Sequence, residues 1–200
     1  FTTGSQQGVF KALFPYLEQQ GLVAILSNKR VDKFGYLARL NTEKTEELFF
    51  KEFIYPSISE EEPLVEEIVP AMAHIVAHQK ELILFYIKKE NKALALKMLK
   101  DLHNIFPIEY YKYGYTHRYF VEICIELNQP KLAQRHVLAY GQELVKDLEK
   151  ARITMTYRTA LDRVNVPLDA AYIQEIMDSL VQFAKQNDLN IEALKAILEG

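Results

Sequence analysis

Tryptophan is absent, cysteine occurs once, and glycine and proline number only seven each in the 200 residues. The lone Cys124 excludes an intramolecular disulfide, a cysteine-based zinc site and a CxxC redox pair. The scattered glycines build no GxGxxG fingerprint, Walker loop or other phosphate cradle, and no Ser/His/Asp grouping stands out. No apolar run approaches the ~18–20 residues that a membrane-spanning helix needs. With a net charge of −3 and a pI near 6.0, the chain has no basic field for nucleic acid. The first residues, Phe1-Thr2-Thr3-Gly4, include no initiator Met and open no signal peptide, so a fragment or processed product of a longer chain is expected. What is present is a 49% hydrophobic, 26% charged composition that can bury a core, with 12 Tyr and 11 Phe that suit a helical protein.

Residues 1–40 read as a mixed segment. Val9–Gln19 reads as a short helix interrupted by Pro15 and ended by Gly21, and Leu22-Val23-Ala24-Ile25-Leu26 as a short buried strand. Residues 41–200 read as one helical domain. Thr42 is the expected N-cap of a helix running to about Tyr55, before Pro56. Glu60-Glu61-Glu62 lies in an acidic surface loop. The 3.6-residue period then predicts a stripe of Met72, Ile75, Val76, Leu82, Ile83 and Tyr86 on a helix ending near Lys89. Further stripes follow: Ala95, Leu99, Leu102 and Phe106, stopped by Pro107; Tyr119, Ile123 and Leu127; then Ala133, Val137, Tyr140, Leu144 and Leu148. Ala151–Val166 reads equally as alternating strand or as helix. Pro167 and Asp169 open a long helix on Ile173, Ile176, Met177, Leu180 and Ala184. After a turn at Asn187–Asn190, a short terminal helix covers Ile191–Leu198.

Two helix pairs, about 71–106 and 113–148, stand in series. Leu82, Tyr86, Ala95, Leu99 and Pro107 of the first, and Phe120, Cys124, Ala133 and Val137 of the second, fall at offsets that resemble a degenerate tetratricopeptide pattern. There a small Ala early in the second helix lets the pair approach. The fold expected is all-α in the main, with tetratricopeptide-like antiparallel hairpins and one or two short strands near the N-terminus.

The stretch Phe1-Thr2-Thr3-Gly4 with Tyr16-Leu17-Glu18-Gln19-Gln20-Gly21-Leu22 resembles a junction in bacterial polytopic membrane proteins of the protein O-mannosyltransferase-like, glycosyltransferase-C type. In those proteins a helical tail follows the last membrane span. The match covers residues 1–26 by motif and 64–187 by architecture. Ala24-Ile25-Leu26-Ser27 departs from the family's aromatic, Arg-Leu and Pro continuation. The resemblance implies a soluble tail on the periplasmic or extracytoplasmic face, attached to a membrane protein linked to glycosyl transfer. It places no catalytic residue on this chain. A single Cys suits a cytoplasmic location equally.

Three groups of residues remain as candidates for chemistry. His74 and His78 stand at i, i+4 with Glu67 and Glu81 nearby, a spacing that can bind zinc; the helix has no HExxH, and this face belongs to solvent, so no metal is assigned and both rings are expected to be exposed. Cys124 occupies a core register and reads as a buried thiol. Tyr110, Tyr111, Tyr113, Tyr115, His117 and Arg118, with Tyr119 and Phe120 following, form the most aromatic segment and are the candidate binding surface for a protein, peptide or glycan. Tyr111 and Tyr113 are expected to stay partly exposed beside Arg118. The reading is therefore a non-catalytic protein-interaction or scaffolding domain, with no cofactor and no nucleic acid. A ligand-sensing regulatory domain and a small hydrolase or transferase using the His or Tyr/His/Arg clusters are the alternatives.

Overall fold

Gly21 turns the chain between two short strands, β1 (Leu17–Gln20) and β2 (Val23–Leu26), which pair antiparallel with Gln20 opposite Val23. Its φ of +58° lies where other L-residues pay a steric cost, and a Cβ added there would stand 2.9 Å from Leu48 Cδ1. The Gly21 N–H donates to the buried Thr45 Oγ1 at 3.0 Å, which fastens the turn to α1 (Thr42–Glu47). A third strand, β3 (Arg39–Leu40), joins β1 in parallel, so the order is β2-β1-β3. The computed structural model describes residues 16–21, 23–26, 39–61, 68–157 and 170–199.

Four expectations for the chain up to Tyr55 change. Leu17–Gln19 is strand, not the end of a helix; residues 9–15 lie outside the described residues. β2 is not buried, for Val23, Ile25 and Leu26 are 58%, 43% and 61% exposed. The reason is position: α1 packs on the central strand β1, and β2 is left at the edge. The cap of α1 is Asn41, whose Oδ1 accepts the Lys44 N–H at 3.1 Å, one residue before the expected Thr42. Beyond Glu47 the helix widens into a π-helical turn, Leu48–Glu52, and Phe53 is already extended, so the helix stops short of Tyr55. Tyr55 instead returns its hydroxyl to the Phe49 carbonyl at 2.8 Å, and edge-on contacts link Phe49, Phe53, Tyr55 and Phe106.

The rest of the described chain is helical: α2 (Val69–Lys88), α3 (Lys92–Ile105), α4 (Thr116–Glu126), α5 (Pro130–Tyr157), α6 (Ala170–Gln186) and α7 (Ile191–Glu199). The protein is thus mainly α with a small strand segment. The predicted stripes are largely the buried faces, including Ile75, Val76, Leu82 and Ile83 on α2 and Ala95, Leu99, Leu102 and Phe106 on or just after α3. Tyr119 is the exception at 42% exposed; α4 buries Phe120, Ile123 and Cys124 instead. α5 continues without a break through Ala151 to Tyr157, so the described part of Ala151–Val166 is helix. Residues 158–169, with Pro167 and Asp169, lie outside the described residues.

One turn recurs after α2, α4 and α6. Asn91 N–H reaches Tyr86 O and Glu90 N–H reaches Ile87 O; Gln129 to Cys124 with Asn128 to Ile125, and Leu189 to Ala184 with Asp188 to Lys185, repeat the pattern at 2.7–3.3 Å. Glu90, Asn128 and Asp188 hold φ of 58°, 56° and 54°. This is the Schellman closure, which satisfies the last helical carbonyls and reverses the chain, built here without its usual glycine. Asn91 and Asn190 then cap α3 and α7 by accepting the Leu94 and Ala193 N–H groups. Ala95 and Ala133, each five residues beyond the left-handed residue, are fully buried.

The chain divides into two compact units, Phe1–Tyr110 and Tyr111–Gly200. This division falls inside the span 41–200 that the sequence suggested as one domain, and the strands belong with α1–α3. In the first unit α2 packs on α3; in the second, α5 packs on α4, α6 and α7. Gly141 marks the close approach of α5 to α7, since a Cβ there would meet Leu194 Cδ1 at 2.9 Å.

Candidate functional site

The connection leading into α4 is organised by one carboxylate. Glu143, on α5, accepts the Tyr113 N–H at 3.0 Å and the Gly114 N–H at 2.8 Å. Gly114 sits at φ +55° with open space where a Cβ would lie, so the backbone conformation, not crowding, calls for glycine here. The third contact of Glu143 is His117 Nε2, at 3.2 Å from Oε1. His117 Nδ1 in turn lies 2.8 Å from Nδ1 of His136 on α5. Both imidazoles are fully buried. Aromatic rings enclose them: Tyr113 lies 5.0 Å from His117 and 5.5 Å from His136, Tyr140 stacks on His117 at 5.7 Å, and Phe120 stacks on His136 at 5.3 Å.

This arrangement corrects the sequence reading of three candidates. Tyr111 and Tyr113 are 4% and 5% exposed, not partly open, and pack edge to face at 4.7 Å. His117 is core. The cause is register: Tyr111, Tyr113, His117 and Phe120 turn inward at steps of two, four and three, where Glu143 and His136 of α5 provide partners for the His117 ring nitrogens. Burial pushes the hydroxyls of Tyr111 and Tyr140 up to about 12, with Glu143 adding to the rise at Tyr111. Burial likewise pushes the Cys124 thiol up to about 12, as an inert core thiol requires.

The other candidates face outward. Tyr110 is 48% exposed and is the last residue of the first unit. In the second unit Tyr115 is 56% exposed and meets Tyr119 edge to face at 5.7 Å. The Arg118 guanidinium lies 5.6 Å from the Tyr115 ring and 4.6 Å from that of Phe183 on α6, and it donates to Ser179 Oγ at 3.4 Å. Among the described residues none supplies a carboxylate within ion-pair distance of Arg118. Tyr172 of α6, 51% exposed, stands close enough with Arg118 and Tyr115 to affect the Tyr140 hydroxyl. One face therefore gathers Tyr115, Arg118 and Tyr119.

Sequence reasoning missed His136 and Glu143. Both were detectable in principle, because they fall on the Ala133–Val137–Tyr140–Leu144 face of α5, where a polar residue needs a partner. The His74/His78 pair lies in the first unit; His74 is exposed but His78 is half-buried, which differs from the expected exposure. Burial, then the neighbouring His74, hold His78 below the usual imidazole range. Among the described residues no three His, Cys, Asp or Glu side chains converge as metal ligands would. No family model, no curated protein and no solved structure matches the chain.

Proposed function

We propose that this chain is a non-catalytic protein-interaction domain that holds a partner polypeptide on the Tyr115–Arg118–Tyr119 face of its second unit. The observation that carries this reading is the pairing of exposed tyrosines with a guanidinium that has no carboxylate partner among the described residues. Tyrosine and arginine dominate the energetics of protein interfaces, because a rigid ring or planar cation buries much area at small entropic cost. A partner segment bearing an acidic side chain fits this face. The buried imidazoles argue in the same direction, since both rings are closed off from a substrate and Glu143 is occupied by backbone N–H groups.

The helical hairpins, each closing over a buried Ala, support a degenerate tetratricopeptide-like relationship, in which arrays of this kind serve as binding scaffolds. The proposal that the chain is the tail of a glycosyl-transfer membrane protein, on its extracytoplasmic side, rests on the motif in residues 1–26. No helix among the described residues is long and apolar enough to cross a membrane.

A photo-cross-linking residue at position 119 tests the binding face against the same probe at Lys131. The expected result is a polypeptide adduct specific to position 119 that disappears in the Tyr115→Ala variant, whose stability changes by no more than about 0.5 kcal/mol, as for other exposed sites. Identical adducts from both positions would overturn the reading. Binding to a glycan array, lost in the same variant, would replace the peptide by a sugar.

A further inference from the structure

Lysines crowd the tip and outer side of one hairpin in the first unit. Lys88 ends α2, Lys89 caps it, Lys92 begins α3, and Lys97 and Lys100 follow on α3; all of them are exposed. α3 buries Ala95, Met98, Leu99 and Leu102. The residues that recur at steps of three and four on its opposite side, Ala93, Lys97, Lys100 and Asn104, are its solvent face. From Lys92 to Lys100 the helix rises only about 12 Å. The acidic groups along this stretch are Glu90, in the turn, and the half-exposed Asp101. Among the described residues no carboxylate lies within ion-pair distance of Lys89, Lys97 or Lys100. Lys89 instead places its ammonium 5.8 Å from the centre of the Phe85 ring. In a chain whose net charge is −3, positive charge is gathered on this hairpin.

We propose that the α2–α3 hairpin docks on an anionic lipid bilayer, with the outer side of α3 against the headgroups. The argument is charge complementarity together with the make-up of the patch. Lysine carries a compact ammonium on a flexible stem, which suits phosphates that move laterally and present no fixed geometry. Clustered lysines on a helix add their separate attractions to such a surface. A folded protein is the poorer fit, because lysine is depleted in protein interfaces, while tyrosine and arginine, which dominate them, are missing from the exposed residues between Lys88 and Asn104. Nucleic acid fits less well too, since the same residues offer no ring for a base to stack on and no guanidinium for a base edge. The apolar side of α3 is committed to the core, so the attachment is peripheral and weakens as salt shortens the screening length. It belongs to the first unit and does not depend on what the tyrosine face of the second unit holds.

The experiment floats the full chain with vesicles of phosphatidylcholine containing about one-third phosphatidylglycerol, and with phosphatidylcholine alone. The chain should rise with the anionic vesicles only, and should be released between about 0.05 M and about 0.5 M salt. Lys97→Gln/Lys100→Gln should weaken partitioning about 30-fold, at about fivefold per lysine. Lys97→Arg/Lys100→Arg should bind as the original does, because fluid phosphates read charge and not geometry. Lys131→Gln/Lys146→Gln removes the same charge from exposed positions of α5 and should leave binding unchanged. Helical circular dichroism equal to that of the original shows that each variant is folded.

No flotation with anionic vesicles would overturn the proposal, as would equal weakening in the two glutamine variants or loss of binding in the arginine variant. Displacement by water-soluble glycerol phosphate at the same phosphate concentration would do so as well, since it would mean a site for a single phosphate. Tighter binding to duplex DNA or to polyglutamate than to the vesicles, lost in Lys97→Gln/Lys100→Gln, would replace the bilayer by that polyanion.

Discussion

The α2/α3 hairpin of the first unit and the α4/α5 hairpin of the second are closed by the same turn and the same small residue, yet their interiors differ. Glu90 and Asn128 adopt the same left-handed conformation, and Ala95 and Ala133 are equally buried. On α2 and α3 the described buried side chains are mostly apolar; the polar atoms among them belong to Gln79, which donates to the Tyr55 hydroxyl at 3.2 Å, and to the His103 ring, whose Nδ1 is buried. Between α4 and α5 lies the Glu143–His117–His136 chain, walled by Tyr111, Tyr113, Tyr140 and Phe120. The turn and the Ala therefore determine that a hairpin forms. What fills the space between its helices determines what else the packing must satisfy. An apolar filling asks only for shape, whereas the histidine pair also asks for a donor matched to an acceptor.

The largest expected effect tests the aromatic wall. Replacing Tyr111 and Tyr113 together by Ala should cost more than about 3 kcal/mol, in the range of large-to-small changes at fully packed aromatic sites. Pulsed labelling of Cys124, the chain's single thiol and fully buried on α4, reads this out directly. Labelling should become fast in the variant, while amides of α2 and α3 keep their protection; equal loss in both hairpins would break the distinction between the units. Next in size, Ala95→Leu and Ala133→Leu should each cost about 1–3 kcal/mol by overpacking. Similar penalties in thermal melts would sharpen the parallel between the hairpins, and an unchanged melt in either would remove the close-approach role of that Ala. The smallest effect is at Gly114, where a Cβ meets nothing but the φ of +55° remains. Gly114→Ala should cost about 1–2 kcal/mol from backbone strain alone, and Gly114→Asn less, because Asn tolerates the left-handed region. Equal penalties for the two in urea unfolding would show that something other than φ is at stake.

Much of the fold was legible because helices advertise themselves locally. The stripes at steps of three and four placed α2, α3 and α6 and the first part of α5, and the Asn-containing turns marked where α2, α4 and α6 end. Legibility failed where pairing partners are remote or where geometry is not periodic. β3 has only two residues and exists through its parallel contact with β1. The widened turn at Leu48–Glu52 follows from Tyr55 and Phe53 reaching back to backbone carbonyls, which no stripe predicts. The composition of the aromatic segment could not say which rings face inward.

By itself, then, the sequence determined a mainly helical chain with two hairpins built on Ala95 and Ala133, since periodicity and turn chemistry act over a few residues. Only the tertiary structure decided that Tyr111, Tyr113 and His117 belong to a core while Tyr115 and Tyr119 do not. It alone brought together His117 and His136, 19 residues apart, and Tyr113 and Glu143, 30 apart. A buried polar group must find its partner wherever the packed helices place one, and that search is settled by three-dimensional proximity, to which separation along the chain is blind.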